Sequence, residues 1–115
     1  MSEIEFINKF NRKGILTKSN EYIVYKKYCK EFINAISEHE FAIIGIDGFS
    51  IDNADIFQPN IDEIADFSEL LKTSWKNFRK ESIDSAKKFI NNIISHGKSN
   101  GFSFVLYSQE EYNQE

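Results

Sequence analysis

Two short apolar runs, FAIIGI at residues 41–46 and FSFVLY at residues 102–107, place the tightest limit on what this chain can fold into. The second alternates Phe102, Phe104 and Leu106 with Ser103, Val105 and Tyr107, the period-two pattern of a half-buried strand. The first is a β-branched run of the kind buried within a sheet, and it ends at Asp47-Gly48, which reads as a turn. A helical stripe precedes each run: Tyr22, Tyr25, Cys29, Phe32 and Ile36 before the first, and Ile83, Ala86, Ile90 and Ile93 before the second. The order predicts an α+β fold, with helices packed on a small β-sheet. A length of 115 residues with 41% hydrophobic content suits one domain with a real core, and no repeat or linker divides residues 1–115.

The remaining segments are read in the same way. Ser2 and Glu5 have capping-box spacing, Ile4, Ile7 and Phe10 share a side, and Gly14 can end the short helix they define. Phe49 and Ile51 suggest extended chain beyond the Asp47-Gly48 turn, whereas Pro59 predicts a loop or a sheet edge between Asn53 and Asn60. IDEIADFSELL reads as one or two helical turns with Ile61, Ile64, Phe67 and Leu71 inward. Helix resumes near Ser74, with a break expected around Glu81 and Ser82 and Gly97 as the cap. The tail QEEYNQE is expected to fray. Gly45 and Gly48 are expected to allow close packing and a positive φ.

Charge is distributed unevenly. From Glu31 to Leu71 there are ten carboxylates and no Lys or Arg, so all fourteen basic residues lie outside that window, although the net charge is only -4. Within the stretch GIDGFSIDNADIFQPNIDEIADFSEL, aromatic and aliphatic residues alternate with the acids. Apolar anchors ringed by one sign of charge suit a steered protein interface, in which the field speeds encounter and the anchors slow dissociation. A basic protein surface is the expected partner. Neither nucleic acid, whose binding draws on cations, nor a membrane is expected. The apolar runs are too short to cross a bilayer and no leader pattern precedes the first helix, so a cytoplasmic protein is expected.

Several residues have more than one reading. Cys29 lies on a helix stripe and reads as a buried structural thiol. His39 and His96 sit in helix-end contexts and form no zinc pattern. Asp47, Asp52 and Asp55 suit either a hard-metal site of a divalent-metal hydrolase or a carboxylate pair for acid–base work, without the order of a calcium loop. In SWKNFRK, Trp75 and Phe78 accompany Lys76, Arg79 and Lys80. That pattern fits an amphipathic helix better than a stacking surface for single strands, and Trp75 remains a candidate contact residue.

The segment order of a helix, FAIIGIDGF, an acidic stretch, SIDSAKKFINNII and a closing GFSFVLY resembles the immunity proteins of colicins that cleave tRNA at the anticodon loop, over about residues 30–107. The aliphatic-GIDG match is the most specific part. Contact-dependent inhibition systems carry related immunity proteins. The resemblance implies a small cytoplasmic inhibitor, with no enzymatic activity and no cofactor, that blocks the nuclease domain of a cognate toxin with an acidic surface imitating RNA. Asp47 and Gly48 match the motif itself, and Asp52 and Asp55 fall in the acidic stretch beyond it. The helix in the first thirty residues and the late position of Trp75 depart from the family pattern. On this reading the toxin-binding residues are Asp47, Phe49, Asp52, Asp55, Phe57, Asp62, Glu63, Asp66, Glu69 and Trp75. A general protein-interaction domain without a toxin partner is the third alternative.

Overall fold

FAIIGIDGFSIDN forms one uninterrupted strand, and the molecule is organised around it. The computed structural model describes residues 2–53 and 56–114. In chain order these form α1 (Glu3–Asn8), β1 (Gly14–Leu16), β2 (Tyr22–Tyr25), α2 (Cys29–Glu38), β3 (Phe41–Asn53), β4 (Ile56–Asp66), α3 (Trp75–His96), β5 (Gly101–Ser108) and α4 (Gln109–Asn113), with 3-10 turns at Lys26–Tyr28 and Ser68–Lys72. The strands make one antiparallel sheet in the order β1-β2-β5-β3-β4. Helices pack on it, which is the α+β arrangement expected.

The core lies between one sheet face and the helices. Phe102, Phe104 and Leu106 of β5 point into it with Ile43 and Ile46 of β3, and α2 and α3 supply Phe32, Ile36, Ile83, Ala86 and Ile90. The expected α3 stripe is therefore the buried one. The first helix seals one end: Phe6 is fully buried, and its ring contacts Phe10, Phe32 and Phe41. Ser2 caps α1 by accepting from the Glu5 N–H. Cys29 is buried, and burial pushes its thiol up to about 12, which leaves it protonated and inert.

Several expectations about local structure are corrected, among them Gly14, which begins β1 after α1 has ended at Asn8. Tyr22–Tyr25 is a strand, and the helix begins only at Cys29. Ile23 and Val24 are successive residues aimed at opposite sheet faces and both are fully buried, so β-branched packing on two sides outweighs a helical spacing that was coincidental. There is no turn at Asp47-Gly48, and no described glycine has a positive φ; the flanking alternation keeps β3 extended. IDEIAD belongs to β4, and helical character is confined to the 3-10 turn after it. The tail forms α4, because Ser108 and Glu111 complete a capping box and Tyr112 reaches back to hydrogen-bond the Thr73 carbonyl. Pro59 does lie on an edge strand, where its missing N–H costs no ladder bond.

No break interrupts α3 at Ser82. That side chain is fully buried, donates to the Arg79 carbonyl and accepts from the Ile43 N–H, so a residue that weakens isolated helices here joins helix to sheet. One turn earlier, Arg79 extends its guanidinium to the end of α2 and donates to the carbonyls of Ile36, Ser37 and His39. A cation at a helix C-terminus satisfies carbonyls left without partners and complements the dipole. Arg79 is thus occupied within the fold, away from any outside partner. Replacing it by Ala should destabilise the protein by about 2 kcal/mol, the scale of charged hydrogen bonds lost from partly buried acceptors, measured as a lower urea midpoint at unchanged m-value.

Candidate protein-binding surface

Strand β4 does not pair evenly with β3. Between the Asp47–Ile64 and Phe49–Pro59 pairs, β4 advances five residues while β3 advances two. The surplus is odd, so it reverses which β4 side chains face which side of the sheet. Ala65 packs toward the helices, which leaves Ile64 and Asp66 on the opposite face.

Glu63 stabilises this irregularity. Its side chain is buried, and its carboxylate accepts from the Lys98 N–H (3.0 Å), the Ser99 N–H (2.9 Å) and Ser99 Oγ (2.5 Å). Asn60 extends the network by donating to Ser99 Oγ and Ser50 Oγ. Two glycines make the space: a Cβ on Gly48 would lie 2.4 Å from Ser99 Oγ, and one on Gly97 would lie 2.5 Å from the Glu63 carboxylate. The second glycine of GIDG is thus explained by close packing, as expected. Burial works against the charge on Glu63, but the hydrogen bonds from Ser99 and from the Lys98 and Ser99 amides outweigh it and hold the carboxyl below its ordinary value.

On the sheet face turned away from the helices, two rows cross three strands. Ile64, Asp47 and Ser103 form one, and Asp66, Gly45 and Val105 the other. Ile64 and Val105 are each 46% exposed, although both are apolar. Gly45 lies between Asp66 and Val105, and a Cβ there would meet the Ala65 carbonyl at 3.2 Å and Val105 Cγ2 at 3.8 Å, so the flanking strands pack closely on it. Asp66 also accepts from the Ser68 backbone N–H; hydrogen bonds from Ser68 lower its pKa and keep it ionised. The result is a face that carries half-buried Asp47 and exposed Asp66 beside the exposed aliphatic side chains of Ile64 and Val105.

The ten residues singled out in the sequence do not form one patch. Asp47 and Asp66 share the open face. Asp52 is exposed near the far end of β3, at the irregularity between the Ile51–Phe57 and Asn53–Ile56 pairs. Asp55 lies outside the described residues. Phe49 is buried and meets half-buried Phe57 edge-on at 5.9 Å, so this pair belongs mainly to packing at the end of the hairpin. Asp62 is exposed on the β4 bulge, 3.6 Å from Lys98, and Glu63 is committed to the interior. Glu69 is exposed in the second 3-10 turn. Trp75 packs at a tilt against Phe78 and Tyr112 at the start of α3. Asp47, Asp52, Asp66 and Glu69 make no ion pair with a described residue.

Sequence reasoning missed Ile64 and Val105. Val105 had a readable signal, as an outward position of the alternating FSFVLY run. Ile64 had none, because its outward direction depends on the odd bulge. Asp47 and Asp52, two of the three residues of the metal alternative, are on the order of 16 Å apart along β3, and the third, Asp55, lies outside the described residues. Among the described residues no three His, Cys, Asp or Glu side chains converge. Nor is any described helix long and apolar enough to cross a membrane.

The Glu63 network makes a prediction about pH. Its folded pKa is lowered, so its contribution is present above the ordinary Glu value of 4.5 and is lost as pH falls through the folded value. Glu63→Gln should cost about 2 kcal/mol at neutral pH. The difference from the parent should shrink on acidification through that range, as followed by urea denaturation at a series of pH values. Gly48→Ala should cost a similar amount by crowding Ser99. Comparison of the chain with known protein families, with curated proteins and with solved structures finds no match.

Proposed function

We propose that the protein is an immunity-type inhibitor that binds the basic surface of a cognate nuclease toxin, most simply a tRNA-cleaving one. The reading is supported above all by the sheet face turned away from the helices, where Asp47 and Asp66 lie beside exposed Ile64 and Val105. Such a surface complements lysine or arginine side chains, whose alkyl stems lie on the aliphatic residues while their charged heads reach the carboxylates. Asp52, Asp62 and Glu69 extend the negative field beyond this contact and steer a cationic partner. The acids of the partner's substrate are phosphates, so a protein surface of this kind competes for the same cations. The contact is narrower than the whole acidic window, and Phe49 and Trp75 serve the fold more than the interface.

A generic interaction domain shares the surface but not the consequence, and inhibition separates the two. The partner to test is the product of the gene directly upstream, assayed for tRNA cleavage with the purified protein added. Stoichiometric protein should abolish cleavage. Asp47→Lys with Asp66→Lys should slow association about tenfold or more at low salt, with less effect at high salt, while leaving the denaturation midpoint nearly unchanged. Undiminished cleavage in the presence of excess folded protein, or association kinetics indifferent to the double reversal, would sink the reading.

A further inference from the structure

Strand β4 is the last strand of the sheet, and no described strand pairs with its outer edge. The antiparallel ladder decides which of its backbone groups point there. The Phe67 N–H donates to the Ile44 carbonyl, so the next residues bonded across the β3–β4 seam are Ala65 and Ile46. The N–H and C=O groups of Ile64 and Asp66 alternate with these and point outward. Farther along, the Ile51 backbone exchanges two hydrogen bonds with the Asn100 side chain on the β5 side, so the backbone groups of Phe57, opposite Ile51, also point outward.

The two outward stretches are not equivalent. Pro59 has no N–H to offer next to Phe57, and the chain from Asn60 to Glu63 interrupts the ladder. Ile64 and Asp66 together present two donors and two acceptors at the spacing of a regular strand. The adjoining Glu63 is fixed by hydrogen bonds from Lys98 and Ser99, so this stretch is held in place before a partner arrives, which lowers the cost of ordering it on binding.

The neighbouring side chains indicate what pairs there. Strand β4 carries Asp62, Glu63 and Asp66 and no Lys or Arg. Asp62 lies 3.6 Å from Lys98 and Glu63 is buried, whereas Asp66 is exposed and makes no ion pair with a described residue. A strand added outside β4 sets its own alternate side chains beside Ile64 and Asp66, where a base next to an apolar residue complements both. A second copy of this chain would bring further acids to the same seam and be repelled.

We infer that the outer edge of β4 at Ile64–Asp66 accepts an extended, lysine- or arginine-bearing strand of the toxin, which continues the sheet as a sixth strand. This rests on the inhibitor reading and adds how the partner is held: main-chain hydrogen bonds at the edge give affinity, and side chains on the face select by charge.

The test is amide hydrogen exchange, resolved by residue with NMR, on the intact protein alone and with the purified product of the gene directly upstream. In the free protein the Ile64 and Asp66 amides should exchange fast, and those of Ala65 and Phe67 slowly. The complex should slow Ile64 and Asp66 about tenfold or more, and the protected segment of the partner should be extended with Lys or Arg at alternate positions. Ile64→Pro, which removes an outward N–H, should weaken binding about tenfold, and Ile64→Ala, which keeps it, should weaken binding less. Should Ile64→Pro fail to fold, exchange in the unsubstituted chain decides. Inhibition of cleavage with the edge amides still fast in the complex overturns this inference and leaves the inhibitor reading standing, whereas failure of the two proteins to associate removes both. A protected partner segment that is helical or lacks bases overturns it, as does slow exchange at Ile64 and Asp66 in the free protein that deepens with concentration, which would identify a second copy as the occupant.

Discussion

The buried Glu63 carboxylate, held by two amide N–H groups and a hydroxyl, is the interaction on which the arrangement of the candidate surface depends. An irregular edge strand that exposes isoleucines would ordinarily relax toward regular pairing, and here a regular register would turn Asp66 and Ile64 into the core. Fixing Glu63 against the α3–β5 connection stabilises the bulge instead. It also requires that β3 carry glycine at position 48 and that α3 end in glycine, since either Cβ would occupy the carboxylate's surroundings. The charged group is tolerated inside the protein because three donors hydrogen-bond it.

The same bulge limits unwanted association. Strand β4 is a long edge bearing Ile56, Ile61 and Ile64, all substantially exposed, which would invite pairing with other chains. Pro59 removes a donor, the bulge interrupts the regular edge, and Asp62 and Asp66 place negative charge along it. A cationic partner meets none of that repulsion. The edge and the adjoining face are thus marked chiefly by their acids. Net charge is small, and the acidic character of this region reflects a sequence that places every Lys and Arg outside residues 31–71.

Legibility in the sequence differed with the kind of signal. Long amphipathic patterns were readable: the Ile83–Ala86–Ile90–Ile93 stripe is the buried side of α3, and FSFVLY is a strand with its phenylalanines inward. Short patterns misled. Tyr22 and Tyr25 fit a helix by spacing, but a four-residue segment takes the structure its neighbours offer, and β5 offers a ladder. Ile61 and Ile64 also have helical spacing, and that spacing results from extra residues in a bulged strand.

For this protein the sequence alone determined the α+β class, the main helix and strand, the buried cysteine and the separation of acidic from basic segments, because each is a property of local periodicity or of counts along the chain. Tertiary structure decided which acids face outward together. That outcome depends on register, on an odd number of surplus residues in one strand and on a carboxylate meeting amides more than thirty residues away, and no local pattern encodes contacts of that range. Residues adjacent in sequence, such as Asp62 and Glu63, were thereby given different fates, one in solvent and one inside the fold.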